Sequence, residues 1–330
     1  MRVPGLIVLL VATLAGCSGG GGVAPSAVVP GAPPTTGESV TVQGHVVATV
    51  TGESLPHVAI ELGGSQVSAD AAGAFAFTWS GTHPRSSRLA ISGPTILSRT
   101  STIQTSTSRE ITIDAIALDS GFDLEYYRKI VRNATDAPGT LRSLQRWTQA
   151  PRVYLRTVDQ AGEPIDAATL QSTEAALTDD AAAWTGGRFG VMEVVRGTET
   201  REGQSGWITV KWPNPANPGN NCGRAQVGVD GGWIELNYRN QACACGGSRV
   251  GSGIVRHELG HALGLFHTNE PGDLMQSTLD RAMACDGHAT ARERFHAAIA
   301  YSRPVGNTDP DNDPTATVQR HAGGTIVIED

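Results

Sequence analysis

Apolar and polar residues alternate along residues 39–118, in short stretches separated by turn-forming residues. The clearest stretches are at 40–46, 58–62 and 75–79, which are rich in β-branched or aromatic residues. Because the side chains of a β-strand point alternately to its two faces, this pattern predicts strands with one buried face. Glycine and aspartate residues between them, as at 70–73, predict turns. Several short strands at this spacing predict a small β-sandwich over 39–118.

The apolar period changes after residue 118. Residues 122–147 follow a helical spacing interrupted by a Pro-Gly pair, which predicts a helical connector over 119–150. Residues 151–302 then mix strand-like and helix-like stretches. The expected strands are 152–158, 189–195, 207–212, 223–227 and 233–238, and the expected helices are one capped by Asp166 and those at 253–264 and 290–301.

The first 38 residues contain targeting signals. Residues 1–16 begin with Arg2 and a short apolar run, which predicts a signal peptide. They end in Leu-Ala-Gly before Cys17, which resembles the lipobox of bacterial lipoproteins. That resemblance implies cleavage before Cys17, a lipid on its sulfur and export to a membrane. The outer membrane is expected, because serine and not aspartate follows the cysteine. An ordinary secretory signal is the alternative. Residues 17–38 comprise this cysteine and a flexible linker rich in Gly, Pro, Ser and Thr.

Composition narrows the functional classes. The 330 residues carry a net charge of −7, and Lys129 and Lys211 are the only lysines. Since proteins that bind nucleic acids present a basic patch, nucleic acid is not an expected partner. No apolar run after the signal peptide is long enough to cross a bilayer. We therefore expect a monomer that meets the membrane only through its lipid anchor.

The candidate chemistry lies in the stretch His-Glu-Leu-Gly-His-Ala-Leu-Gly-Leu-Phe-His, which begins at His257. Histidines four residues apart share one face of an α-helix, so His257 and His261 can reach one metal ion. Gly264 allows the backbone to leave the helix sharply and returns His267 as a third ligand. Three protein nitrogens leave the fourth position of a tetrahedral zinc ion open, as in catalytic sites. Glu258 lies beside the ligands, where it can hold a water molecule.

These residues resemble the zinc-binding motif of the metzincin clan of metallopeptidases. The stretch from His267 to Met275 is most similar to the matrixin branch, although Gln-Ser follows the methionine where matrixins tend to have Tyr-Pro. The resemblance covers residues 150–302 and implies an α+β fold, with a twisted mixed sheet, an active-site helix and a C-terminal helix. It also implies one catalytic zinc ion held by the three histidines, Glu258 as general base, and Met275 as an apolar floor beneath them.

The function implied by this resemblance is that of a membrane-anchored zinc endopeptidase acting on proteins or peptides. Residues 223–227 would be the edge strand that pairs with an extended substrate. Residues 39–118 resemble the carboxypeptidase regulatory-like module, through the pattern around Gly44, Pro56 and Gly73. Two alternatives stay open: a surface binding protein with a decayed peptidase site, and a zinc hydrolase acting on non-peptide amides. Glu258 argues against the first, because decayed sites often lose the base.

Four cysteines follow Cys17, an even number that suits disulfide bonding in an oxidising compartment. They are Cys222, Cys243, Cys245 and Cys285. A bond between Cys243 and Cys245 would close a strained ring, so we expect Cys222 and Cys285 each to pair with one of them. A structural zinc site is the alternative. Because no cysteine lies between 17 and 222, the N-terminal region cannot silence the site with a thiolate, and we expect activity without its removal.

The last residues, 303–330, are rich in proline, aspartate and glycine and predict a mobile tail. The segment Asp309-Pro-Asp-Asn-Asp313 offers calcium ligands but lacks the spacing of a defined calcium loop. A solvated acidic segment is the favoured interpretation, with calcium as the alternative. Residues 325–328 can add a short strand.

Overall fold

The computed structural model describes residues 39–81, 84–315 and 325–329. The predicted signal peptide, Cys17 and the linker lie outside these residues. From Glu38 onward the chain forms one compact unit. A β-rich region precedes a mixed α+β region within it, so the predicted fold class is confirmed. No helix in the described part of the chain is both long and apolar enough to cross a membrane.

The described part of the N-terminal region contains seven strands. They are β1 (Val40–Ala48), β2 (Ala59–Leu62), β3 (Ser65–Ser68), β4 (Ala74–Trp79), β5 (Ser86–Ser92), β6 (Arg99–Gln104) and β7 (Arg109–Ala115). They form two sheets, with strand orders β4-β1-β7 and β3-β2-β5-β6. Val42 and Phe77 of the first sheet share one buried core with Ile60 and Ile91 of the second. The two sheets therefore face each other as the predicted sandwich.

The C-terminal region is built on a mixed sheet with the order β13-β11-β12-β10-β8-β9. Its elements are α1 (Leu124–Arg132), β8 (Arg152–Arg156), α2 (Ala167–Asp179), α3 (Ala181–Trp184), β9 (Val194–Gly197), β10 (Trp207–Lys211), β11 (Gly223–Gln226), β12 (Trp233–Leu236), α4 (Ser252–Ala262), α5 (Arg281–Asp286), α6 (Ala291–Ser302) and β13 (Val327–Glu329). β8, β9, β10 and β12 are parallel, whereas β11 and β13 run antiparallel to their neighbours. A large apolar core that includes Trp184 and Trp212 packs the helices against this sheet.

The second half of the predicted connector is not helical. α1 ends at Arg132, followed by Asn133 in a left-handed conformation with a φ of 61°, and residues 141–147 have no regular secondary structure. Of the two leucines at helical spacing in this segment, Leu144 is buried and Leu141 is 39% exposed. However, the Leu144 amide donates to the Asn307 carbonyl at 2.8 Å instead of to a neighbouring turn. The backbone of this segment therefore forms hydrogen bonds with residues that are distant in the sequence, and the apolar spacing alone could not show that.

β11 confirms the strand expected at 223–227, but it is not an edge strand. β13 pairs with its outer side, with Ala225 opposite Ile328. The expectation of an open edge at this strand is therefore wrong. β13 begins two residues later than the short strand expected at 325–328 and confirms it in part.

The acidic segment at the start of the tail is not solvated. Asp311 and Asp313 are 1% and 5% exposed. Arg303 Nε donates to the Asp311 carboxylate at 2.8 Å, and an Arg99 guanidinium nitrogen donates to the Asp313 carboxylate at 2.7 Å. The prediction of a solvated acidic segment is therefore wrong, because buried arginines balance these carboxylates.

Candidate metal centre

The helix that carries the histidine motif, α4, is buried on all sides. Residues 253–262 are all buried. The last carbonyl groups of a helix have no hydrogen-bond partner within the helix. At the end of α4, an indole and a phenol side chain supply such partners. Trp147 Nε1 donates to the Ala262 carbonyl at 2.9 Å, and the Tyr301 hydroxyl donates to the Leu263 carbonyl at 2.7 Å. These bonds fix the end of the helix from which the third histidine is reached.

Three histidines converge at this end of the fold. His257 and His261 lie on one face of α4, with their Nε2 atoms 2.9 Å apart. Gly264 has a φ of +108°, and a Cβ there would lie 2.1 Å from the Gln145 carbonyl oxygen, so only glycine can make this turn. The turn returns His267, and the ligand nitrogens of the three buried histidines lie within 4.8 Å of one another.

Each imidazole is oriented through its Nδ1 atom. The Nδ1 atoms of His257 and His261 lie 2.5 and 2.8 Å from backbone carbonyl oxygens. His267 Nδ1 lies 3.3 Å from the Asp136 carboxylate. Because these oxygens only accept hydrogen bonds, each Nδ1 donates, and each Nε2 remains as the nitrogen with a lone pair. This is the outer arrangement that metal-binding histidines use.

The donor set fits a divalent metal that accepts nitrogen ligands. Imidazole suits zinc and several other transition metals, and three such ligands leave a coordination position for a reactant. Within the described ranges, no other group of histidine, cysteine, aspartate and glutamate side chains forms a comparable cluster. The buried triad can therefore hold one metal ion.

Glu258 follows the first ligand along α4, and its side chain is fully buried. A Cβ at Gly223 would lie 2.1 Å from Glu258 Oε1. The bare backbone of β11 therefore passes directly beside this carboxylate. The predicted general base and the strand next to it form one wall of the site.

Met275 lies against α4. A Cβ at Gly260 would lie 2.6 Å from the Met275 sulfur, so the sulfur occupies the space that this glycine leaves open. The Met275 backbone is held on both sides: its amide donates to Glu293 Oε1 at 2.7 Å, and its carbonyl accepts from the Thr268 amide at 2.7 Å. Burial raises the pKa of Glu293 above its ordinary value.

Several supporting residues were missed by the sequence analysis. Asp273 is buried and accepts from the Tyr126 hydroxyl at 2.7 Å and from the Thr268 hydroxyl at 3.0 Å. Asp136 orients His267, and Glu293 holds the methionine. The Thr-x-x-Glu pattern that ends at Glu293 does signal a helix N-terminus, and the capping box is present. Glu293 also accepts a hydrogen bond from the backbone of a residue eighteen positions earlier, and no local sequence pattern indicates that bond.

The four cysteines form two disulfides, Cys222–Cys243 and Cys245–Cys285. The expected pairing is confirmed, and the structure selects one of the two arrangements that were left open. Cys222 immediately precedes β11, and Cys285 lies in α5, so the bonds tie both elements to the segment that leads into α4. Cys17 lies outside the described residues.

Comparisons with known proteins add little to this geometry. No protein-family model matches the chain, and no curated protein matches it. Among the solved structures that match, metalloproteinase-II from Bacteroides fragilis is similar over 79% of this chain and 85% of its own, at 11% identity and a TM-score of 0.32. A similarity this weak carries no argument about activity, so the functional assignment depends on the residues of the site themselves.

Proposed function

We propose that this protein is a zinc-dependent endopeptidase that hydrolyses protein or peptide bonds. The observation that carries the proposal is the convergence of three buried imidazoles whose Nδ1 atoms are all engaged by oxygen acceptors. Zinc is the proposed metal because three nitrogen ligands with one open position are a donor set of catalytic zinc sites.

Each residue of the site has a separate role in the proposed reaction. His257, His261 and His267 would hold the ion through Nε2. Bound zinc supplies Lewis-acid polarisation of the scissile carbonyl and lowers the pKa of water. Glu258 accepts a proton from the attacking water and passes it to the leaving amine. The Asp136 carboxylate faces His267 Nδ1 and so favours the tautomer in which Nε2 would be the metal ligand.

A peptide substrate is favoured over a small amide by the strand beside the proposed base. β11 passes Glu258, and its outer backbone groups pair with an antiparallel strand, β13. Extended peptides bind to such strands through backbone hydrogen bonds, whereas a small amide gains nothing from them.

We also propose that the protein is a lipoprotein of the bacterial outer membrane, anchored through Cys17 and acting as a monomer. The support is the Leu-Ala-Gly-Cys sequence and the linker that separates it from the folded unit. Mass spectrometry of the membrane fraction should find an acylated cysteine at the mature N-terminus. A mature protein that begins at another residue and carries no lipid would refute the anchor.

Two substitutions test the catalytic assignment. Glu258→Ala removes the proton acceptor and leaves the ligands, so we expect one zinc ion per chain and a loss of peptide turnover of about 10²–10⁴-fold. His261→Ala removes a ligand, so we expect loss of the metal itself. Zinc is measured by mass spectrometry and turnover with a mixed peptide library. His288→Ala is the control, because that side chain is 54% exposed and outside the triad.

The alternatives predict different results. A parent protein that binds zinc and cleaves no protein or peptide across a broad panel at neutral pH would reject the proposal. Capture of a partner that is unaffected by Glu258→Ala would then favour a binding protein. Hydrolysis confined to non-peptide amides would favour the other zinc hydrolase.

A further inference from the structure

The strand β13 covers the outer side of β11 and is the terminal one of the described strands in its sheet. It runs antiparallel, with Gln226 opposite Val327 and Arg224 opposite Glu329. The Val227 amide also donates to the Ile326 carbonyl at 3.1 Å and extends this ladder. β13 therefore uses the backbone groups that an incoming extended peptide would need.

β13 runs along β11 in the direction that a substrate would take to reach the proposed base, Glu258. The register places its C-terminal end opposite Arg224, and the preceding residue of β11 is Gly223, which borders the Glu258 carboxylate. A peptide lying in the place of β13 would reach Glu258 at its C-terminal side. β13 thus overlies the position of the substrate residues that precede the scissile bond.

One side chain of β13 is seated against the turn that carries the third ligand. Ile328 is 8% exposed and packs with Val227 and Phe266, which are fully buried. Phe266 immediately precedes the ligand His267. Val327 lies on the opposite face of the strand and is 41% exposed. The apolar contact of β13 with this wall therefore depends on Ile328 and not on its neighbour Val327.

We propose that β13 is an intramolecular competitor of the substrate, bound at the strand that the substrate must use. This inference rests on the proposed peptidase function. The chain before β13 is anchored by Asp311 and Asp313, which are buried in ion pairs with Arg303 and Arg99. A tethered segment competes at a high effective concentration even when its own affinity is low.

The apolar contacts of Ile328 have a consequence for substrate specificity. A substrate has to displace β13 and place its own side chain against Val227 and Phe266. Because both are apolar and buried, the site selects a branched apolar residue at the matching position before the scissile bond.

The binding test uses the full chain with Glu258→Ala, so that the probe is not cleaved. The probe is a fluorescent peptide with the sequence of residues 325–329, Thr-Ile-Val-Ile-Glu. Adding Ile328→Asp places a charge in the apolar seat and loosens β13, so we expect the probe to bind about tenfold more tightly, as measured by fluorescence anisotropy. Val327→Asp adds the same charge on the exposed face and is the matched control, with little change expected.

Hydrogen exchange gives a second readout that leaves β13 unaltered. Excess unlabelled probe should speed exchange at the amides of residues 327–329 and leave β12 protected. Probe binding that is equal in the parent, Ile328→Asp and Val327→Asp proteins, together with unchanged exchange, would overturn the proposal and make β13 a permanent part of the sheet.

Restoring Glu258 separates this inference from the peptidase assignment. The Ile328→Asp protein should then show a lower KM for peptides and an unchanged kcat, because only the competing strand is weakened. Tighter probe binding without any peptide cleavage would reject the peptidase function and still support β11 as a peptide-binding strand.

Discussion

Three glycines allow the close contacts on which the metal centre depends. Gly264 makes the turn to the third ligand, Gly260 leaves room for the Met275 sulfur, and Gly223 leaves room for the Glu258 carboxylate. At each position a Cβ would come within 2.1–2.6 Å of another atom. Gly264 is recognisable from the motif spacing, but the other two depend on residues that are distant in the sequence.

Gly260→Ala should therefore weaken the metal centre. Alanine alone would favour the helix by about 1 kcal/mol, but its Cβ would lie 2.6 Å from the Met275 sulfur and force that side chain to move. Overpacking of this kind typically costs about 1–3 kcal/mol. We expect a lower free energy of unfolding in urea and a weaker zinc affinity in competition with a chelator.

Gly190→Ala is the matched control for this substitution, because no heavy atom lies within 4 Å of the Cβ it would add. A Gly260→Ala protein that is about 1 kcal/mol more stable than the parent, with the zinc affinity of the Gly190→Ala control, would show that the methionine moves without cost and that its contact with α4 does not support the site.

At the scale of secondary-structure elements, the sequence predicts the helices and strands that are determined by neighbouring residues. The alternation in β1 and β4 and the histidine spacing in α4 are visible within a few residues. Residues 141–147 mimic a helix because Leu141 and Leu144 are three residues apart, yet only Leu144 of these two is buried, and its amide bonds to a distant segment. The same limit applies to the covering of β11 by β13 and to the bond between Glu293 and Met275, since no local pattern records a partner far along the chain.

The disulfides act at this scale, because they tie β11 and α5 to the entry of α4. Replacing Cys245 and Cys285 together by alanine opens a loop with a sequence separation of 40. The chain-entropy estimate for loops between 15 and 100 residues is about 3–4.7 kcal/mol. We expect a loss of unfolding free energy in this range, measured by urea unfolding of the zinc-bound protein.

Replacing Cys222 and Cys243 together is the matched comparison, because the separation there is 21 and the expected loss is slightly smaller. Removing each pair as a whole leaves no unpaired thiol. A loss well below these values in both double variants would mean that packing around α4 holds the segment without the bonds.

At the scale of the whole molecule, ion pairs of a buried arginine link the β-sandwich to the C-terminal region. Arg303, which follows α6, is fully buried and pairs with Asp114 of β7 and with Asp311. Burial by itself raises the pKa of Asp114, but the guanidinium groups of Arg303 and Arg99 outweigh it and hold that pKa below its ordinary value. The sequence could indicate separate regions, but it could not show these pairs, because their members lie far apart in the chain.

Arg303→Met should unfold both regions at a lower denaturant concentration. Methionine retains much of the apolar volume but leaves Asp114 and Asp311 without the shared opposite charge. Breaking a buried ion pair costs about 3–5 kcal/mol. Arg196→Met is the control, because it removes a pair with Glu174 in which the arginine side chain is 40% exposed, and such pairs contribute about 0–1 kcal/mol.

The unfolding transitions of the Arg303→Met protein, and the midpoint at which zinc is released, decide whether the stability of the metal centre depends on the sandwich. If the sandwich stabilises the site through Arg303, the Arg303→Met protein releases zinc at a lower urea midpoint than the parent does. Two separate transitions, with zinc released only in the second and at the parent midpoint, would mean that the metal centre does not depend on the sandwich. In that case residues 39–118 could be removed without loss of zinc binding, whereas zinc release at a lower midpoint means that their removal would destabilise the metal centre.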